Sequence, residues 1–164
     1  MVHPAEAEVS LLPDERLLRN RRLSQRPRGP VPLVIEVAAA LIRDTAGRYL
    51  ITQRRRGSHL EGLWEFPGGK QEAGESPETC LKRELAEELS ASFAVGEKFT
   101  TIRWEYPDRT VILHFFRCRL ESGTIEPRES QTMAWVAAER LDEFDFPPAD
   151  RELVARLRTG RAAP

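Results

Sequence analysis

The stretch "GGKQEAGESPETCLKRELAEELSA", Gly68 to Ala91, places six glutamates in 24 residues. Four of them, Glu75, Glu84, Glu87 and Glu88, fall on or just before a predicted helix. Ser76 followed by Pro77 is a helix start, the hydroxyl available to cap free amides and the proline tolerated in the first turn. The helix is predicted to run to about Leu89. At about 100° per residue, Leu81, Leu85 and Leu89 share one stripe that can pack on a sheet. Glu84, Glu87 and Glu88 share an adjacent arc about 100° wide, separate from that stripe. Three close carboxylates repel one another and raise each other's proton affinity, so they are costly unless cations neutralise them. Hard, oxygen-only ligands suit magnesium or manganese rather than zinc. Ahead of the helix, "PGGKQEAGE" is predicted as a glycine-punctuated loop that approaches a ligand closely and offers backbone carbonyls. Arg83 precedes Glu84 and can orient carboxylates through charge-assisted hydrogen bonds. The bland alternative is a solvated Glu/Lys face of an ordinary amphipathic helix, the usual explanation of a charge run.

Other elements must hold that surface in place. At 164 residues with 40% hydrophobic content, the chain suits one globular domain with an ordinary core. Net charge is −1 from 25 basic and 26 acidic residues, so no overall field points to a nucleic-acid polymer or a membrane as partner. Cys80 and Cys118 match no CxxC spacing and no secretory signal or long apolar run is visible, so a reducing, cytoplasmic setting is expected. "LVIEVAAALI" and "RYLITQR" flank "RDTAG", a predicted hairpin with Gly47 in its turn; "GEKFTTIRWEY" and "TVILHFFRCRL" flank "PDR", a second one. "TMAWVA" is a later strand, and "AAERLDEF" and "PADRELVARLRTG" are predicted helices, the latter ended by Gly160. Mixed strands and helices point to a layered α/β or α+β domain. The first 33 residues differ, with six arginines between Arg16 and Arg28, then Pro30 and Pro32. Residues 14 to 23 suit a short amphipathic helix before the prolines impose an extended linker. A solvated, flexible tail is the reading favoured by composition. A targeting sequence or a phosphate-attracting arm is the alternative, and Glu6, Glu8, Asp14 and Glu15 count against a transit peptide.

Spacing separates the metal reading from the bland one. Gly69, five residues, Glu75, seven residues, then Arg83, Glu84, Leu85, one free position, Glu87 and Glu88 match the signature of the Nudix hydrolases. Six fixed identities at average residue frequencies coincide on the order of once in 10⁷ starting positions. The chain therefore resembles that family. The resemblance implies an α/β Nudix fold, an α/β/α sandwich with a mixed β-sheet and the Nudix loop-helix, over residues 34–160, with 1–33 as an extension. It also implies magnesium-dependent (Mg2+, with Mn2+ as substitute) cleavage of nucleoside diphosphates linked to another group. Residues 34 to 158 look like the MutT type, which removes oxidised guanine nucleotides such as 8-oxo-dGTP. "WEFPGGK" at 64 to 70, "EYPDR" at 105 to 109 and "FPPAD" at 146 to 150 carry that narrower match.

Carried over position by position, the Gly68 carbonyl and the Glu84, Glu87 and Glu88 carboxylates look like metal ligands, with Glu129 as a further, distant carboxylate. The resemblance implies attack of an activated water on phosphorus, giving a nucleoside monophosphate and pyrophosphate. Glu84 is the first choice for general base and Glu129 the second. Arg83 orients carboxylates, and Lys70 and Arg109 neutralise the triphosphate. Arg54, His59, Glu65, Phe66, Pro67 and Gly68 are expected against the nucleotide, with Phe66 either a stacking edge or plain core. Trp64, Trp104 and Trp135 are read as packing residues and His114 as structural. Cys80 is read as a small packing residue, the rival idea being a thiol whose oxidation inhibits.

Two departures from the family pattern stand out. The signature normally closes with glycine and an aliphatic residue, where this chain has Ser90 and Ala91. Asp150 stands where the MutT enzyme acting on 8-oxo-dGTP has asparagine; an ionised aspartate only accepts hydrogen bonds. Asp150 thus suits the guanine N1 and amino hydrogens or the cytosine amino group, and donates to a guanine oxygen only when protonated. The leading expectation is an enzyme acting on nucleoside triphosphates, most of all oxidised purines. A CTP or modified-pyrimidine pyrophosphohydrolase and an ADP-ribose-type enzyme are rivals of the same class. The rival of another class is a non-catalytic nucleotide-binding module, which gains nothing from clustered carboxylates.

Overall fold

The computed structural model describes residues 33–128 and 132–160, all within a compact unit spanning Pro32–Pro164. The predicted helix over 14 to 23 and nearly all of the 1–33 extension lie outside the described residues. Strand β1, Leu33–Ile42, is apolar on both faces over most of its length. Successive side chains of a strand point to opposite sides, so Val37, Ala39 and Leu41 enter one core cluster while Ala38, Ala40 and Ile42 enter another. Such a strand needs cover on both faces, and this requirement organises the fold.

Strands β2 (Tyr49–Gln53), β3 (Trp64–Glu65) and β4 (Gly68–Lys70) follow, then helix α1 (Pro77–Leu89). Strands β5 (Ser92–Glu105), β6 (Arg109–Ser122) and β7 (Met133–Val136) precede two 3-10 turns, Ala138–Glu143 and Pro148–Asp150, and helix α2 (Arg151–Thr159). One sheet runs β4-β1-β6-β5 and the other β3-β2-β7. The first is mixed: β1 pairs in parallel with β6 from Leu33 opposite Arg109 to Ile42 opposite Cys118, while its other pairs are antiparallel. Leu81, Leu85 and Leu89 of α1 cover one face with Ala38, Ala40 and Ile42. Leu153, Val154 and Leu157 of α2 belong to the cluster on the other face with Val37 and Ala39. This is the layered α/β sandwich predicted from the sequence.

Helix α1 keeps its predicted bounds, and the Ser76 hydroxyl accepts from the Thr79 amide at 3.1 Å. The "PDR" hairpin also forms, closed by Tyr106 N–H donating to the Arg109 carbonyl at 2.8 Å. Elsewhere the structure corrects the reading. "RDTAG" does turn, with Gly47 at φ +79°, but beyond one isolated bridge between Arg43 and Tyr49 the flanking strands enter different sheets. Strands β4 and β6 occupy both edges of β1, leaving none for β2. "AAERLDEF" makes a 3-10 turn instead of an α-helix: it has no side-chain cap and buries only Leu141. Strand β5 starts at Ser92, earlier than predicted, and Gly68–Lys70 is a short strand on β1 rather than loop. Cys80 and Cys118 are both free and buried. Among the described residues no helix is long and apolar enough to cross a membrane.

The β4–β1 pairing requires glycine. Gly68 sits at φ +150°, and a Cβ built there would lie 2.1 Å from the Ala38 carbonyl oxygen. Gly68→Ala is expected to destabilise the fold by roughly 2–3 kcal/mol through this clash and the unfavourable backbone, read as a lower urea midpoint with unchanged slope.

Candidate active site

On the α2 side of the mixed sheet, β1 and β6 form the floor of a cavity of about 330 Å³. Alternation along the strands supplies that floor: Ile35, Val37 and Ala39 from β1, Val111 and Leu113 from β6. The loop after β2 forms one wall with Arg54, His59 and Leu60, and the turn Pro148–Asp150 forms another with Ala149 and Asp150. Gly68, Gly69, Lys70 and Glu88 line one end.

At that end the glycines let acidic groups come close. Glu88 Oε2 accepts from Gly68 N–H at 3.2 Å. Burial, and then the charges of Glu65 and Glu84, push the Glu88 carboxyl up to about 8 even though the Gly68 amide opposes the shift. A Cβ at Gly69 would fall 2.2 Å from Glu84 Cδ, so the missing side chain is the space that the Glu84 carboxyl occupies. Arg83 braces the group from behind. Its Nε and Nη2 each reach a Glu75 carboxylate oxygen at 3.0 Å, and its Nη1 lies 2.7 Å from Glu84 Oε1 and 3.7 Å from Glu87 Oε2. These hydrogen bonds, with the Glu72 amide, hold Glu75 down at about 2. Among the described residues, no three acidic, histidine or cysteine side chains converge as a ready-made metal cage. With Arg83 engaging Glu75, Glu84 and Glu87, one guanidinium already offsets part of the charge that a cation would neutralise. The donor set is all oxygen, and Glu88 is a half-buried acid with acidic neighbours; both fit a hard divalent cation.

At the other end a second arginine meets two acids. Arg54 Nη1 lies 2.5 Å from Glu65 Oε2, while its Nε donates to the His59 carbonyl at 2.7 Å. Burial raises Glu65 against the opposing pull of Arg54. Asp150 is only 6% exposed, and burial followed by the Glu65 charge pushes it up to about 7, with Arg54 opposing. Phe66 is 3% exposed and packs edge-on to Tyr49 and Phe115 and stacked on Phe146, so it is a core residue that also borders the cavity.

The cavity thus brings together Arg54, His59, Glu65, Phe66, Gly68, Lys70, Glu88, Arg109 and Asp150 of the predicted residues. Pro67 is fully buried and serves through its carbonyl, which accepts from Ala40 N–H at 2.8 Å. Glu84 lies behind Gly69, Glu87 points outward with its side chain 62% exposed, and Glu129 lies outside the described residues. Arg109 is paired with Asp108 at 2.8 Å. Tyr106 was missed, although it stands in the quoted "EYPDR". It lines the cavity, and burial and then the Asp150 charge raise its phenol.

Ser90 caps α1 in the left-handed region at φ +57°, where glycine is cheaper by something like 1 kcal/mol. The cost meets a compensation: Arg128 Nε donates to Ser90 Oγ at 2.7 Å, and the Arg128 and Glu126 amides cap the Glu88 and Leu89 carbonyls. Cys80 is fully buried, and burial, then Glu75 and Glu84, push its thiol up to about 11, which favours packing over reactivity. His114 joins strands, with Nε2 2.5 Å from Glu36 and Nδ1 3.2 Å from the Thr101 hydroxyl.

Because Asp150 binds its proton more tightly when folded, the native state holds more protons than the unfolded chain between about pH 4 and 7. Its contribution therefore becomes less favourable as pH rises through that window and stays so above it. Asp150→Asn removes this cost, so the variant's Tm relative to wild type should rise from near pH 5 to near pH 8; thermal melts at both values check it.

Known proteins carry the same pattern. The NUDIX domain profile matches residues 38–156. An 8-oxo-dGTP diphosphatase of Haemophilus influenzae is 40% identical over 124 residues, covering 76% of this chain and 91% of that protein. A CTP pyrophosphohydrolase of Escherichia coli is 38% identical over 130 residues, covering 79% and 96%. The solution structure of the E. coli ORF135 protein superposes with a TM-score of 0.67 at 36% identity, covering 83% of this chain and all of that one. With the profile spanning most of the chain and near-complete relatives at this identity, the chain belongs to the Nudix hydrolase family.

Proposed function

We propose that the protein is a divalent-cation-dependent nucleoside triphosphate pyrophosphohydrolase that acts on oxidised purine nucleotides such as 8-oxo-dGTP. One observation carries the reading: a single cavity of about 330 Å³ is lined by apolar strand residues, Phe66 and Asp150 and also by Gly68, Gly69, Lys70 and Glu88, with the Glu84 carboxyl against Gly69. Glu84, Glu87, Glu88 and the Gly68 carbonyl would hold Mg2+, or Mn2+ in its place, with Glu129 as a further carboxylate. When bound, the cation supplies positive charge against the phosphates and makes a water more acidic.

The chain's own groups do the rest. Glu84 takes a proton from the attacking water, with Glu129 as second choice; the bond to the leaving pyrophosphate breaks as the new oxygen–phosphorus bond forms. Arg83 keeps Glu75 ionised and aims Glu84 through its ion pair, and Lys70 and Arg109 counter phosphate charge. Phe66 and the floor residues exclude water around the base, while Arg54, His59, Glu65 and Asp150 border it. Residues 34–160 form the catalytic unit in this reading and 1–33 an appendage. A second reading, cleavage of CTP or a modified pyrimidine nucleotide, draws on Asp150: as a carboxylate it accepts from a cytosine amino group, and a similar E. coli protein is a CTP pyrophosphohydrolase.

Wild type is expected to release pyrophosphate from nucleoside triphosphates with magnesium, and Glu84→Gln to lose about 10³-fold in kcat. Comparison of kcat/KM for 8-oxo-dGTP, dGTP, CTP, 5-methyl-dCTP and ADP-ribose decides the substrate; ADP-ribose leading that panel overturns the proposal. Gly69→Ala should push the Glu84 carboxyl aside and cost about 10²-fold in kcat with little change in Tm, because the displaced group is the end of a flexible side chain.

A further inference from the structure

Asp150 leaves a gap in base recognition. A 6-oxopurine edge presents an acceptor oxygen beside ring and amino N–H groups, and an ionised carboxyl answers only the N–H groups. The missing element is a donor near Asp150. The Arg54 guanidinium is oriented by Glu65 and the His59 carbonyl, and that of Arg109 by Asp108, so each is aimed first at another partner. Tyr106 lines the same cavity, makes no side-chain hydrogen bond among the described residues, and feels the charges of Asp150, Arg109 and Arg54. The ring is carried on the β5–β6 turn, fixed by its own N–H bond to Arg109 at 2.8 Å.

We infer that Tyr106 is a specificity-determining residue whose phenol donates while Asp150 accepts, so that the two side chains together read an oxygen beside an N–H, the edge of a 6-oxopurine. The pair does jointly what a single amide does alone, since an amide carries both donor and acceptor. This rests on the nucleotide reading of the cavity given above, and it adds a residue to that reading. The charged or titratable groups that line the cavity with Asp150 are Arg54, His59, Glu65, Lys70, Glu88, Tyr106 and Arg109, of which Glu65 and Arg54 act on its carboxyl.

Calorimetric titration with 8-oxo-dGMP and with CMP tests the pairing without requiring turnover. Four proteins are compared: wild type, Tyr106→Phe, Asp150→Asn and the double variant. Tyr106→Phe should weaken 8-oxo-dGMP about 10-fold and CMP by less than about 2-fold. In the Asp150→Asn background the same change should cost less than about 2-fold for both, because the amide supplies its own donor. A pH profile adds an independent readout. Asp150 is pushed up to about 7, so below that value its own proton is available and the Tyr106→Phe loss should shrink, becoming full above it. Equal losses for both nucleotides, or the same loss in both backgrounds, would make Tyr106 a packing residue and overturn the inference. If wild type binds these nucleotides with this pattern yet releases no pyrophosphate, the catalytic reading falls and the pairing stands. Binding of neither nucleotide by wild type removes both.

Discussion

The site depends on how closely β4 can approach its neighbours. Gly68 passes within 2.1 Å, measured from a hypothetical Cβ, of the β1 backbone, and Gly69 leaves the space taken by the Glu84 carboxyl. Two missing side chains therefore bring a strand of the mixed sheet, the loop behind it and the acidic arc of α1 into one place. Were β4 held further out, the glutamates would face solvent and the cavity would lose its polar end. Because β1 is covered on both faces and paired on both edges, this arrangement rests on a strand held from every side.

Charge is handled in the same economical way at both ends. Arg83 braces Glu75, Glu84 and Glu87, and Arg54 braces Glu65. Half-buried Glu88 and buried Asp150 both have strongly raised proton affinity, each pushed by desolvation first and by Glu65 next. Glu65 thus lies electrostatically between the two ends. Perturbed acids lining one cleft are a common mark of function.

Much of this was legible in local pattern. The cap at Ser76, the stripe of Leu81, Leu85 and Leu89, and the arc of Glu84, Glu87 and Glu88 follow from helical period alone, and α1 keeps those bounds. Strand pairing was less legible. "RDTAG" turns as predicted but its strands part, because which edges of β1 are occupied is decided by β4 and β6, distant in sequence from β2. Ser90 looked like a weakness at the helix exit until Arg128, far along the chain, proved to be its partner.

Residue types at fixed spacing determined which carboxylates gather along one side of α1 and the family to which the chain belongs, since period and spacing are local properties that one helix and one loop express by themselves. The family likeness of "WEFPGGK", "EYPDR" and "FPPAD" marked which further segments matter. Only the tertiary structure decided that those segments share one cavity, that Phe66 is core as well as wall, and that Tyr106 and Asp150 line the same cavity. The shifts of Glu88 and Asp150 were likewise beyond the sequence. Burial and the company of Glu65 cause them, and both arise when strands far apart in the chain are packed together.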